Sequence, residues 1–79
     1  MSDLDTLVAE LPKNSSETLR VSLGTFNGHD LVHLRVWYQP KEGGEPRPGK
    51  AGVSLRVAML PALHEAIGKA MLEAAGRTP

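Results

Sequence analysis

Seventy-nine residues make one domain, and the absence of cysteine excludes disulfides and thiolate metal sites. A chain this short buries only about 60–65% of its unfolded surface, so oligomerisation is the expected supplement to its stability. Nine basic residues balance nine acidic ones, which argues against a uniformly basic nucleic-acid-binding domain.

The charges are unevenly placed. Residues 1–18 carry Asp3, Asp5, Glu10 and Glu17 against Lys13. Residues 19–57 carry Arg20, Arg35, Lys41, Arg47, Lys50 and Arg56 against Asp30, Glu42 and Glu45. An acidic start therefore precedes a basic middle, and a dimer doubles the local field. No basic-then-apolar leader and no run of about 18 apolar residues is present, so an intracellular, cytoplasmic protein is expected.

In chain order, Leu4, Leu7, Val8 and Leu11 have helical spacing, and Pro12 stops it before the polar "NSS". Residues 1–17 are expected to be a flexible acidic segment, a short helical turn or disordered, free to fold over the basic sheet. The stretch "TLRVSLGTF" (18–26) alternates Leu19, Val21 and Leu23 with Arg20, Ser22 and Gly24, the period of a half-buried strand. Asn27-Gly28 is a strong hairpin signal, so "LVHLRVWYQP" (31–40) is its antiparallel partner.

"PKEGGEPRPGKAG" suits an exposed loop with a brief third strand near 45–50, because proline cannot donate to a ladder. "GVSLRV" (52–57) resumes alternation as a fourth strand. From Leu60 the period becomes 3.6, with Leu60, Leu63, Ile67, Met71 and Ala74 in one apolar stripe. The helix starts between Val57 and Leu60, tolerates Pro61 in its first turn and has Gly76 as its C′ residue. Gly68, with Ala62, Ala66 and Ala70, fits close packing against the chain's own sheet or, the reading favoured here, helix-to-helix contact across a two-fold axis.

One helix covers about one face of such a sheet. Leu19, Val21, Leu23, Val32, Leu34, Val36, Val53, Leu55 and Val57 are expected to point to it, leaving Arg20, Ser22, His33, Arg35, Trp37, Ser54 and Arg56 on the other side. Cations that follow phosphates and rings that stack on bases make that second face a candidate for single-stranded nucleic acid. Alternation alone fits equally a Trp37 that fills a dimer interface with arginines snorkelling around it.

Other chemistries find no constellation. Four strand positions separate His29 from His33 by about 13 Å, too far to share a metal. "HEAIG" has Gly68 where a zinc helix needs its second histidine, and "GKA" lacks the hydroxyl of a phosphate loop. No nucleophile, base and orienting group converge. Neither catalysis, a metal nor a cofactor is expected.

"VSLGTFNGHDLVHLRVWY" followed by "EPRPGKAGVSL" resembles the C-terminal domain of transcriptional positive cofactor four and its bacterial relatives. The shared features are V-S, F-x-G, L-[IV]-x-[IL]-R with two adjacent aromatics, and [KR]-P-G-[KR]-x-G-[IV]-S-L before the helix, across about residues 18–75. The resemblance implies an α+β fold: a four-stranded curved antiparallel sheet followed by one C-terminal amphipathic helix, paired as a homodimer, with residues 18–76 as the domain and 77–79 as a tail. It implies sequence-tolerant binding of single-stranded DNA or unpaired duplex regions, in transcription regulation or DNA maintenance, with transcription machinery as a further partner and a nucleoid location in a bacterium; the sequence does not separate DNA from RNA.

By position, Phe26 and Tyr38 match base-contacting aromatics, Arg35 a backbone-binding arginine, and Arg47 and Lys50 basic loop residues. Arg20 and Trp37 join them from the basic face. The aromatic pair is reversed here, so position favours Tyr38 whereas alternation exposes Trp37, and a bulge is the device that reconciles them. Asn27 and His29 stand where relatives tend to have lysines, which implies moderate, salt-sensitive affinity. The alternative is a dimeric protein-interaction module with weak or no nucleic-acid binding.

Overall fold

Asn27 and Gly28 sit at φ 50° and 76°, the two positive values of a type I′ turn, and they close a hairpin with a two-residue loop. The computed structural model describes residues 6–77. Its elements are β1 (Thr6–Pro12), β2 (Glu17–Phe26), β3 (His29–Tyr38), β4 (Arg47–Arg56), a 3-10 turn (Val57–Met59) and α1 (Leu60–Arg77). The strands form one antiparallel sheet in the order β1-β2-β3-β4. This is the expected four-stranded sheet plus C-terminal helix, reached by different strands.

The first difference is β1, which is an edge strand and not a helical turn or disorder. Its register jumps between Leu7↔Ser22 and Ala9↔Val21, leaving Val8 as a bulge. The extra residue breaks the period of two, so Leu7 lies on one face and Ala9 and Leu11 on the other, and the apolar positions imitate helical spacing. Asp3 and Asp5 lie outside the described residues.

The β1–β2 connection is held by Asn14. Its Oδ1 accepts from the backbone N–H of Ser16 (3.0 Å) and Glu17 (2.9 Å), while its Nδ2 donates to Glu17 Oε1 (2.7 Å). Lys13 Nζ also reaches Glu17 Oε1 at 3.0 Å. The Asn14 hydrogen bond first, then Lys13, holds the Glu17 carboxyl below its ordinary value of 4.5.

The second difference is that the two short strands expected at 45–50 and 52–57 are one, β4. Arg35↔Gly52 and Trp37↔Pro48 are consecutive ladder pairs, so β4 carries two residues more than β3 between them. Gly49 and Gly52 make that bulge possible. A Cβ on Gly49 would lie 2.9 Å from Val36 O, and one on Gly52 would lie 2.7 Å from Leu34 O. Val57 leaves the strand for the 3-10 turn.

The third difference concerns the helix. Pro61 stands in the first turn as expected, but Gly76 is inside α1 and outside the left-handed region, so it is not a C′ cap. More consequentially, α1 does not lie on the sheet: the 3-10 turn touches β3, no α1 residue is buried, and Ile67, Met71 and Leu72 are 53%, 68% and 76% exposed. Amphipathicity specifies a stripe but not its partner. The aliphatic face is consequently half-covered, with Leu23 and Val53 exposed and Val32 the one fully buried aliphatic side chain among the described residues. The radius of gyration is 14.9 Å, against about 12 Å for a compact domain of this length.

Gly52→Ala is expected to cost about 1–3 kcal/mol, read as a lowered urea midpoint, because the new methyl meets backbone that cannot step aside. A carboxyl whose folded pKa is depressed stabilises above its unfolded value and loses that contribution as pH falls through the folded one. The urea midpoint of the wild type should therefore exceed that of Glu17→Gln near neutral pH, and the gap should close below pH 4.5; a gap independent of pH would show that the carboxylate is not responsible.

Candidate nucleic-acid interface

The β2–β3 ladder runs without interruption from Glu17↔Tyr38 to Phe26↔His29. Alternate residues of the two strands therefore share a face along its whole length. Arg20 faces Arg35, Ser22 faces His33, and Thr18 faces Trp37. On the far side of β3, His33 pairs with Ser54 and Leu31 with Arg56. The sheet twists this row into a groove of about 520 Å³, walled by Phe26 at the hairpin end and Trp37 at the other, with Arg20, Ser22, Leu31, His33, Arg35 and Ser54 between them and Leu7 and Thr25 at the rim.

The groove side chains are anchored. Arg35 Nη1 donates to Gly49 O at 3.0 Å, so the β4 bulge supplies the carbonyl that orients this partly buried guanidinium. His33 Nδ1 lies 2.7 Å from Ser54 Oγ, across the β3–β4 ladder. Arg20 Nε donates to Glu10 Oε2 at 2.6 Å, and the same guanidinium lies over the Trp37 ring, 4.2 Å from its centroid. Phe26 is 65% exposed, which leaves its ring free to receive a flat partner.

Of the residues singled out in the sequence, Arg20, Phe26, Arg35 and Trp37 come together in the groove. Asn27 and His29 are exposed at the hairpin end, Asn27 as a turn residue and His29 as the ladder partner of Phe26. Tyr38 does not join them. The bulge lies in β4 and leaves the alternation of β3 intact, so Tyr38 keeps the parity of Val36 and borders a second depression of about 220 Å³ beside Asn14, Glu17, Trp37 and Gln39. Arg47 pairs with Tyr38, and Lys50 projects from the bulge; both are exposed and outside the groove.

Ser22, His33 and Ser54 line the groove, and Glu10 holds one of its arginines, without having been singled out as binding residues. The face of Ser22, His33 and Ser54 was readable from alternation. Glu10 had no such signal, because its orientation depends on the Val8 bulge. Among the described residues no group of three side chains suited to a metal ion occurs, and no helix is long and apolar enough to cross a membrane.

The profile of the family Transcriptional Coactivator p15 (PC4) matches residues 13–66. Among solved structures, a PC4 homologue from Burkholderia pseudomallei K96243 aligns with TM-score 0.74 and 21% identity over 85% of this chain and 97% of that one in its tetragonal crystal form. In the orthorhombic form the values are 0.72 and 22%, over 100% and 99%. The bacteriophage T5 homologue of the eukaryotic transcription coactivator PC4, a protein implicated in recombination-dependent DNA replication, aligns with TM-score 0.68 and 22% identity over 91% of this chain and 82% of its own. No curated protein gives a significant match. The structural likenesses establish the fold, and with the profile spanning most of the sheet and the start of α1, the chain belongs to the PC4 family.

Proposed function

We propose that the protein is a homodimeric, sequence-tolerant binder of single-stranded DNA, acting in transcription regulation or DNA maintenance in the cytoplasm or nucleoid. The observation that carries this reading is the open groove in which Arg35 and Arg20 lie between the rings of Phe26 and Trp37. Guanidinium groups hold a phosphate backbone of any sequence, and every base has a π-face for a ring to stack on. Arg47 and Lys50, exposed beyond the groove, extend the positive path. Membership of the PC4 family supports the same reading.

The dimer follows from the other face. A half-covered aliphatic sheet and a helix with exposed Ile67, Met71 and Leu72 need a second copy more than they need solvent. Pairing through these surfaces leaves the basic aromatic face available. A second reading, a dimeric interaction module with little affinity for nucleic acid, draws on the zero net charge and on the Glu10 carboxylate already held by Arg20.

Light scattering after size exclusion should give twice the 8.5 kDa chain mass; a monomer at micromolar concentration would remove the dimer. Fluorescence anisotropy with labelled oligo-dT separates the two readings. Binding should fall steeply between about 50 and about 200 mM salt, and Trp37→Ala and Arg35→Ala should each weaken it about tenfold, in line with about 1–3 kcal/mol per stacked base or charged contact. Absence of binding at the lower salt favours the interaction module.

A further inference from the structure

Glu10 reaches Arg20, a groove residue, because of an irregularity. With unbroken pairing beyond Leu7↔Ser22, Ala9 would oppose Arg20 and Glu10 would oppose Leu19 on the aliphatic face. The bulge at Val8 shifts every later residue by one position and sets Glu10 opposite Arg20. Bulges of this kind re-aim side chains at functional edges. The result is a clasp across three strands: the β1 carboxylate 2.6 Å from the β2 guanidinium, and that guanidinium 4.2 Å from the centroid of the β3 indole.

Both ends of the clasp occupy positions that a nucleotide strand would use. The carboxylate takes the place of a phosphate on Arg20, and the guanidinium covers a ring face on which a base would stack. We propose that Glu10 sets the affinity of the groove: it stands in for phosphate, holds Arg20 across Trp37, and is exchanged for the backbone of an entering single strand. This inference rests on the single-strand reading of the groove. It concerns a residue on β1, ahead of the residues 13–66 that the family profile matches.

The exchange is cheap in the bound direction. The two side chains are 26% and 43% exposed, and a solvent-screened pair of this kind contributes little to stability, so losing it leaves the fold intact. The carboxylate also repels an incoming phosphate until it is displaced. Replacing it by an uncharged isostere removes both the competition and the repulsion.

Glu10→Gln should tighten oligo-dT binding at low salt by about three- to tenfold, whereas Glu45→Gln, with the same change in net charge but outside the groove, should shift it by less than about twofold. The gain should vanish when Arg20→Ala is already present, the signature of coupling through that guanidinium. Trp37 is the only tryptophan, so quenching of its emission by acrylamide reports the clasp without any ligand and should rise in Glu10→Gln. If the wild type binds oligo-dT and Glu10→Gln binds it no better, or the gain survives Arg20→Ala, the exchange is overturned while the single-strand reading stands. If neither protein binds at low salt, the single-strand reading falls and the exchange falls with it.

Discussion

The unbroken antiparallel register of β2 and β3 is the constraint on which the rest depends. Ten residues of each strand pair without a slip, and the two positive-φ residues of the Asn27-Gly28 turn fix where the pairing starts. A slip of one residue would invert one strand against the other, sending either Arg20 of β2 or Arg35 and Trp37 of β3 to the aliphatic side and bringing Leu19, or Leu34 and Val36, into the groove. No single contact of the groove could prevent that. The turn and the aliphatic row prevent it together, so the chemistry of one face is specified by the packing of the other.

The outer strands do the opposite. Each breaks its alternation once, beside the groove, and each break delivers a group that alternation would have withheld. The β4 bulge turns Gly49 O toward Arg35, and the β1 bulge turns Glu10 toward Arg20. A regular inner hairpin flanked by two irregular strands thus yields a groove with fixed walls and oriented guanidinium groups. Glycine at 49 and 52 is the steric condition for the first bulge, since a side chain at either position would press on carbonyl oxygens of β3.

This division explains what could be read from the sequence. β2 and β3 were legible because their alternation is intact, and with them came Arg20, Arg35 and Trp37 as neighbours. The family resemblance placed Phe26 beside them. β1 was not legible: one inserted residue turned a period of two into apparent helical spacing. β4 was split because Pro46, Pro48 and the four nearby glycines read as loop, although β4 is an edge strand, where a proline is tolerated. The position of α1 was also out of reach, since a stripe of Leu63, Ile67 and Met71 states that something apolar lies against it without saying whether that surface belongs to the same chain.

That last ambiguity has a physical resolution in the dimensions of the protomer. Its extents are 40 × 37 × 18 Å, and a helix packed on a sheet needs a layer spacing of about 10 Å with side chains filling it. Among the described residues no α1 side chain is buried and Ile67 and Met71 of its stripe stay exposed, so the chain presents two apolar surfaces without a core between helix and sheet. Burying one such surface against its equivalent satisfies both copies at once, which is the economy of a two-fold axis. The surfaces that require covering are the helix stripe and the aliphatic face, and the latter lies opposite the groove. In the proposed dimer the demand for burial therefore leaves the arginine and ring-bearing face to solvent, and stability and recognition are assigned to opposite sides of the same four strands.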